Sequence, residues 1–347
     1  MSRQAASAAR KRVTLSDIAL HIGVSAITVS RALRSPDKVS PAIREKVCHA
    51  VEELGYIPNR MASALASART RVVGVSVPSL TNIVFNDVIS AIYDVLLPRN
   101  YQVLLGNSHY SPQEEQRLIE TLIAQGAEAM IVTGLDQTQQ ARRLLERAGL
   151  PVVQIMETGA EAIDLSVGFS QVDAGFDMTC HLLDAGYREV AFMGARMDPR
   201  TCRRMEGYKK AMEERGRVWR DKVVTTPQHS SVKLGADLLR ELLSSNPKVD
   251  AVFCCNDDLA MGVIFEAQRA GLSIPGRLAV AGFNDLEAAS SINPSLTTVA
   301  TPRYAIGRTA AERLLARLEG EKAEAEGAAV GPASIDLGYR IVKRAST

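Results

Sequence analysis

The chain has 347 residues, 41 Lys and Arg against 39 Asp and Glu for a net charge of +2, and a hydrophobic content of 46%. That length predicts two or three domains with a sizeable core, and no apolar run approaches the ~20 residues a helix needs to span a bilayer. The opening Met1-Ser2-Arg3-Gln4-Ala5-Ala6-Ser7 has no apolar signal segment, and the five cysteines lack zinc-type spacing, so a reducing cytoplasm and no metal or other cofactor are expected.

The near-neutral total hides a partition. Residues 1–71 hold twelve Lys or Arg and five Asp or Glu, a net of +7, which leaves −5 for the other 276. Inside the basic portion, Thr14 and Asp17 have the spacing of a capping box that opens a helix with Ile18 and Ile22 on its buried face. Gly23-Val24-Ser25 then reads as a tight turn, with Gly23 left-handed and Ser25 capping a second helix. That helix presents Ala26, Ile27, Thr28, Ser30 and Arg31, while Val29 and Leu33 point inward. The spacing is that of a helix-turn-helix. An ordinary pair of core helices would share it. The local positive charge decides for DNA, because neutralising phosphates releases condensed counterions.

Ser40-Pro41 opens a third helix with Ile43, Val47, Val51 and Leu54 on one face and Gly55 at its end. A small-residue linker follows from Tyr56 to Ala66, free to be coil or a short helix. From Val72 the pattern becomes buried strands alternating with amphipathic helices. Val72–Val77, Gln102–Leu105, Ala129–Val132 and Val152–Ile155 form one series of strands. Val190–Met193, Lys222–Thr225, Ala251–Cys254 and Leu278–Ala281 form a second. Two series of this kind predict two doubly wound parallel-sheet lobes with a cleft between them. No phosphate-binding loop or dinucleotide fingerprint appears.

Asp17-Ile18-Ala19, Gly23-Val24-Ser25, Thr28-Val29-Ser30-Arg31, Tyr56-Ile57-Pro58-Asn59-Arg60 and Asn256-Asp257 together resemble the lactose/galactose repressor (LacI/GalR) family, essentially along the whole chain. Pro78 to Asn82, Gly194-Ala195-Arg196 and Val252 to Leu259 look like its gluconate-utilisation repressor branch. The resemblance implies an α/β chain: a helix-turn-helix DNA-binding domain over 1–58, a hinge helix and linker over 59–71, and a periplasmic-binding-protein-like core over 72–347. The expected N-lobe is about 72–168 and 299–325, and the C-lobe about 169–298 and 326–347.

It also implies a homodimer on a palindromic operator. Arg31, Ala26, Ile27 and Thr28 would face bases, Ser25 and Ser30 would lie nearer phosphates, and Leu15 joins the DNA-binding set. In the hinge, Asn59 would cap, Arg60 would contact DNA, Ala62 would let two hinge helices approach, and Leu65 would wedge open a base step. The segment from Tyr339 to Thr347 is too short for a heptad bundle, so a dimer is expected rather than a tetramer.

Ligands of such a core sit past the C-terminal ends of its strands. The candidates there are Ser79, Asn82, Glu157, Arg200, Arg204, Asn256, Asp257 and Asn284. Arg204 precedes Gly207-Tyr208, where the family's cleft arginine occurs, and Arg200 lies one turn earlier, so both are expected to converge on the carboxylate of a sugar acid. Arg203 reads as part of a solvated helix end. Asp257 is expected to accept from sugar hydroxyls, or to cap the helix at Asp258-Leu259. Glu157 reads equally as a surface acid. The expected function is a repressor that releases its operator on binding gluconate or a close derivative. A periplasmic-type binding protein would lack the helix-turn-helix, and an enzyme on this core would need a catalytic constellation that the sequence does not show.

Overall fold

A computed structural model describes residues 13–57, 69–320 and 333–347. The chain divides into two compact units, Met1–Thr70 and Arg71–Thr347.

In the first unit, α1 (Leu15–Ile22) begins where the Thr14 hydroxyl accepts from the Asp17 amide and the Asp17 carboxylate accepts from the Thr14 amide at 2.8 Å. It ends at Gly23, whose φ of 69° is the left-handed conformation that lets the chain turn at once into α2 (Ala26–Arg34). The Ser25 hydroxyl accepts from the Thr28 amide at 3.1 Å and fixes where α2 starts. With α3 (Pro41–Leu54), the two helices close over Ile18, Val29, Val47 and Tyr56. The helix-turn-helix is therefore held by its own small core.

The second unit contains two six-stranded sheets. One comprises β1 (Val72–Val77), β2 (Gln102–Asn107), β3 (Ala129–Thr133), β4 (Val152–Ile155), β5 (Leu165–Gly168) and β11 (Ala333–Asp336). The other comprises β6 (Val190–Ala195), β7 (Val223–Thr226), β8 (Ala251–Cys254), β9 (Ala279–Asn284), β10 (Thr297–Ala300) and β12 (Arg340–Val342). Helices α4 (Val84–Leu96), α5 (Pro112–Ala124) and α6 (Gln139–Arg147) belong with the first sheet. Helices α7 (Gln171–Asp184), α8 (Pro199–Glu214), α9 (Val232–Ser245), α10 (Asp257–Arg269) and α11 (Glu287–Ser291) belong with the second, and α12 (Arg303–Glu319) returns to pack on the first.

The strand orders, β11-β5-β4-β3-β1-β2 and β12-β10-β9-β8-β6-β7, reverse direction at the same place in each sheet. The reversals fall between β1 and β3 and between β6 and β8, which opens a crevice at their C-terminal ends. That geometry positions the site. Parallel strands buried on both faces explain the uninterrupted apolar runs.

One expected lobe boundary is corrected. Val299 and Ala300 complete β10 in the second sheet, so the chain returns to the first lobe after 300, within two residues of the expected position. β11 pairs in parallel with β5, which keeps 333–336 in the first lobe, and the last crossing lies between 336 and 340 rather than near 326. Short edge strands carry little local signal. The place of β11 is decided by β5, a partner more than 160 residues earlier in the sequence.

One close contact sets the orientation of α8. A Cβ on Gly207 would stand 2.0 Å from the Val172 carbonyl oxygen, and one on Gly175 would stand 2.3 Å from that of Arg204. Only glycine lets α7 and α8 approach this closely, and the approach brings Arg204 against Gln171.

Candidate functional site

A cavity of about 660 Å³ lies between the lobes at the strand ends. Its first-lobe wall is built by the turn after β1. The Ser79 hydroxyl accepts from the Asn82 amide at 3.1 Å, and the Asn82 side chain accepts from the Val84 amide at 3.1 Å. Asn82 Nδ2 also donates to the Tyr110 hydroxyl at 2.8 Å, which fixes the ring at the cavity edge.

The second-lobe wall carries the charge. Arg196, Arg200 and Arg204 line it against Asp198 and Asp258, a formal excess of one positive charge. Arg200 Nε donates to Asp198 Oδ1 at 3.2 Å, and its guanidinium carbon lies 5.4 Å from the Phe85 ring centre and 5.8 Å from that of Tyr110. Arg204 is buried. Its Nε donates to Gln171 Oε1 at 2.8 Å, its Nη1 donates to the Cys255 carbonyl at 2.6 Å, and its guanidinium carbon stands 3.7 Å from the Phe283 ring centre. Burial lowers its pKa to about 10.

Asn256 lines the cavity and caps α10, its Oδ1 accepting from the Leu259 amide at 3.4 Å. The Ser230 hydroxyl hydrogen-bonds to Asn256 Oδ1 at 2.8 Å and to Asp258 Oδ2 at 2.6 Å, tying three polar groups into one patch. Asn284 closes the cavity floor. It is 4% exposed, holds φ at 112°, and its Oδ1 has no hydrogen-bond partner among the described residues. A buried amide oxygen without a partner is costly, which leaves this corner able to accept from a polar group.

In the first unit, α2 presents an exposed Ile27 and Arg31, with Ala26, Thr28 and Ser30 partly covered. Ile27 is 70% exposed. An isoleucine that open to water contributes nothing to the small core beneath it and is available for contact with a partner. Thr28 Oγ1 is 2.8 Å from Ser25 Oγ, so the cap also orients the Thr28 hydroxyl. Leu15 packs partly against the core. Asn59, Arg60, Ala62 and Leu65 lie outside the described residues.

Residues 14–59 match the profile of "Bacterial regulatory proteins, lacI family", and residues 70–331 match "Periplasmic binding proteins and sugar binding domain of LacI family". The chain belongs to the LacI family. It is 43% identical over 336 residues to the HTH-type transcriptional regulator GntR of Pseudomonas aeruginosa, covering 97% of this chain and 96% of that protein. A LacI-family transcriptional regulator from Silicibacter pomeroyi superposes with a TM-score of 0.89 at 35% identity, over 96% of this chain and 99% of that one. The Lac repressor dimer bound to operator and the anti-inducer ONPF gives 0.81 at 25% identity, over 97% and 99%. This LacI-family member is a DNA-binding transcriptional regulator rather than an enzyme.

Three expectations about the LacI-type cleft need correction. Asp257 does not line the cavity. It is fully buried, with Oδ1 accepting from Thr298 Oγ1 at 2.6 Å and Oδ2 accepting from the Leu286 amide at 2.7 Å. Burial pushes its pKa up to about 6. The acid that faces the cavity is its neighbour, Asp258. Glu157 lies outside the lining as well. Its Oε1 accepts from the Thr158 and Gln171 amides at 3.3 and 3.4 Å, and burial raises its pKa to about 7 although Arg203 stands 3.6 Å from Oε2.

Arg203 is not a solvated helix end. Its two Nη atoms hold both oxygens of Asp136, in the opposite lobe. Among the expected candidates, Ser79, Asn82, Arg200, Arg204, Asn256 and Asn284 do converge on the cavity. Sequence reading assigned no role to Arg196, Tyr110 or Asp258. Arg196 stands in the stretch that carries the branch resemblance, and Asp258 is adjacent to a named residue; nothing local singles out Tyr110.

Proposed function

We propose that this chain is a homodimeric repressor that binds a palindromic operator through α2 and releases it when a sugar acid, gluconate or a close derivative, occupies the interlobe cavity. The observation that carries the effector class is the charge of the lining. Three guanidinium groups against two carboxylates favour a ligand with one negative charge. The Asn256, Ser230 and Asp258 patch and the Asn284 amide supply the hydroxyl partners such a polyol needs.

The similarity to GntR and to an operator-bound Lac repressor dimer supports the DNA and dimer parts of the reading. Effector release follows if the ligand favours one lobe arrangement and DNA the other, since each can shift the balance only by its differential affinity. Calorimetry of the full-length protein against gluconate, 2-ketogluconate, 6-phosphogluconate and neutral sugars tests the effector class. The expected result is saturable binding of a monoanionic sugar acid, with neutral sugars weaker. Preference for a neutral sugar would contradict it.

A further inference from the structure

The three guanidinium groups of the cavity are not equally available to a ligand. Arg204 is committed to Gln171 and the Cys255 carbonyl, and Arg200 to Asp198 through Nε. Arg196, immediately after β6, uses its backbone amide to reach the Gln228 carbonyl at 2.9 Å. Among the described residues its guanidinium makes no hydrogen bond and no ion pair. The tyrosine ring beneath it holds it in place. Arg196 Cζ stands 3.8 Å from the centre of the Tyr110 ring, and the Arg200 guanidinium carbon is 5.8 Å from the same centre.

Tyr110 belongs to the first lobe and Arg196 to the second, so this stack spans the cleft. The backbone on both sides is unusual. Arg196 and Met197 have φ of 66° and 53°, and His109 and Tyr110 have 52° and 59°. Left-handed conformations at non-glycine residues cost of order 1 kcal/mol each, and they gather at ligand clamps. Two facing loops both held this way present one cation on one ring.

We propose that Arg196 is the residue that selects the anionic end of the effector, with Arg200 as its second donor. The proposal rests on the sugar-acid reading above. Stacking covers a face of the guanidinium and leaves its N–H donors, which lie in the plane, free for a carboxylate. The ring also excludes water from that face, which strengthens the charge-assisted hydrogen bonds made at the edge. A carboxylate between Arg196 and Arg200 offsets the repulsion between two like charges that share one ring. Because the shelf belongs to the opposite lobe, the site is complete only when the lobes are closed. Binding the acid group therefore selects the closed arrangement, while a neutral polyol lacks that contact.

The test is calorimetry on the full-length protein with gluconate and with glucitol, which has the same carbon chain and no carboxylate. Four proteins are compared: wild type, Arg196→Gln, Arg196→Lys and Tyr110→Leu. Wild type should prefer gluconate by about tenfold or more. Arg196→Gln should lose about ten- to hundredfold in gluconate affinity, as expected for a charged hydrogen-bond pair, and lose much less in glucitol affinity. Arg196→Lys should fall between, since it keeps the charge and loses the planar fork. Tyr110→Leu keeps the cation but removes its shelf, and should weaken gluconate more than glucitol; this second variant decides the matter if Arg196→Gln does not fold. An Arg196→Gln protein that keeps the wild-type preference, or loses both ligands equally, overturns the proposal while the effector reading stands. Wild type that binds no sugar acid overturns both.

Discussion

Arg203 on α8 holds both carboxylate oxygens of Asp136, at 2.6 and 2.8 Å, and thereby joins the two lobes outside the cavity that would hold the ligand. Neither residue lines that cavity, so their effect on a ligand acts through closure of the lobes. The pair is partly open to solvent, which limits its strength to roughly 0.2–1 kcal/mol. Asp136→Asn should therefore weaken effector binding only about two- to fivefold, without changing which sugar acids are preferred. A change in ligand preference, measured by calorimetry, would show that the pair shapes the cavity itself.

The adjacent carboxylates of Asp257 and Asp258 should separate cleanly on mutation. Asp257→Ala removes the acceptor of the Thr298 hydroxyl and the Leu286 amide inside the fold, and should cost about 2–4 kcal/mol of stability. Asp258→Asn alters a group at the cavity wall, and should reduce effector affinity with little change in melting temperature. Thermal unfolding beside calorimetry distinguishes them, and a reversed pattern would return the ligand-contacting role to Asp257.

Glu115, whose Oε1 receives the Ser76 hydroxyl at 3.5 Å, is held by burial at a pKa of about 7 instead of its ordinary 4.5. The folded protein keeps this proton where an unfolded chain has lost it. Its contribution to stability is full below about pH 4.5 and is lost as pH rises toward and through about 7. Glu115→Gln cannot ionise, so its melting temperature should fall less than that of wild type between about pH 5 and about pH 7.5. Parallel pH profiles would place the Glu115 proton elsewhere.

Gly207→Ala should destabilise the second unit by roughly 2 kcal/mol or more, because its Cβ would meet the Val172 carbonyl at 2.0 Å. Rigid backbone on both sides leaves α7 and α8 no option but to separate. That movement also displaces Arg204 from Gln171, so effector affinity should fall with stability. Wild-type melting behaviour in this variant would mean the two helices can move apart at little cost.

The helix-turn-helix was legible because its signals are local. Thr14, Asp17, Gly23 and Ser25 act within four residues of themselves, and the structure uses each as a cap or turn. The long buried strands were legible for the same reason. What escaped depends on distant partners. β11 joins β5 through pairing across more than 160 residues, and Arg203 meets an acid 67 positions away. Asp257 and Asp258 are identical side chains at one helix start, and only the position of Thr298 and Leu286 decides which turns inward. Arg204 lines the cavity, yet its tie to the Cys255 carbonyl makes it part of the frame, so Arg204→Ala would disturb the lobe as well as the ligand.

Arg31, exposed on α2, should carry sequence information at the DNA end. Arg31→Ala should reduce the preference for operator over random DNA by about 1–3 kcal/mol, the discrimination of one bidentate guanine contact. Equal losses on both DNAs would make Arg31 a phosphate contact.

The central claim, that a sugar acid in the cleft and operator DNA on α2 oppose one another, is tested most directly by measuring both affinities on one preparation. Operator binding is followed by fluorescence anisotropy with and without saturating gluconate, and gluconate binding by calorimetry with and without saturating operator. The account predicts that gluconate weakens operator binding, and that operator weakens gluconate binding by the same factor, because coupling free energy is reciprocal. Operator affinity that is unchanged or raised by bound gluconate would contradict it.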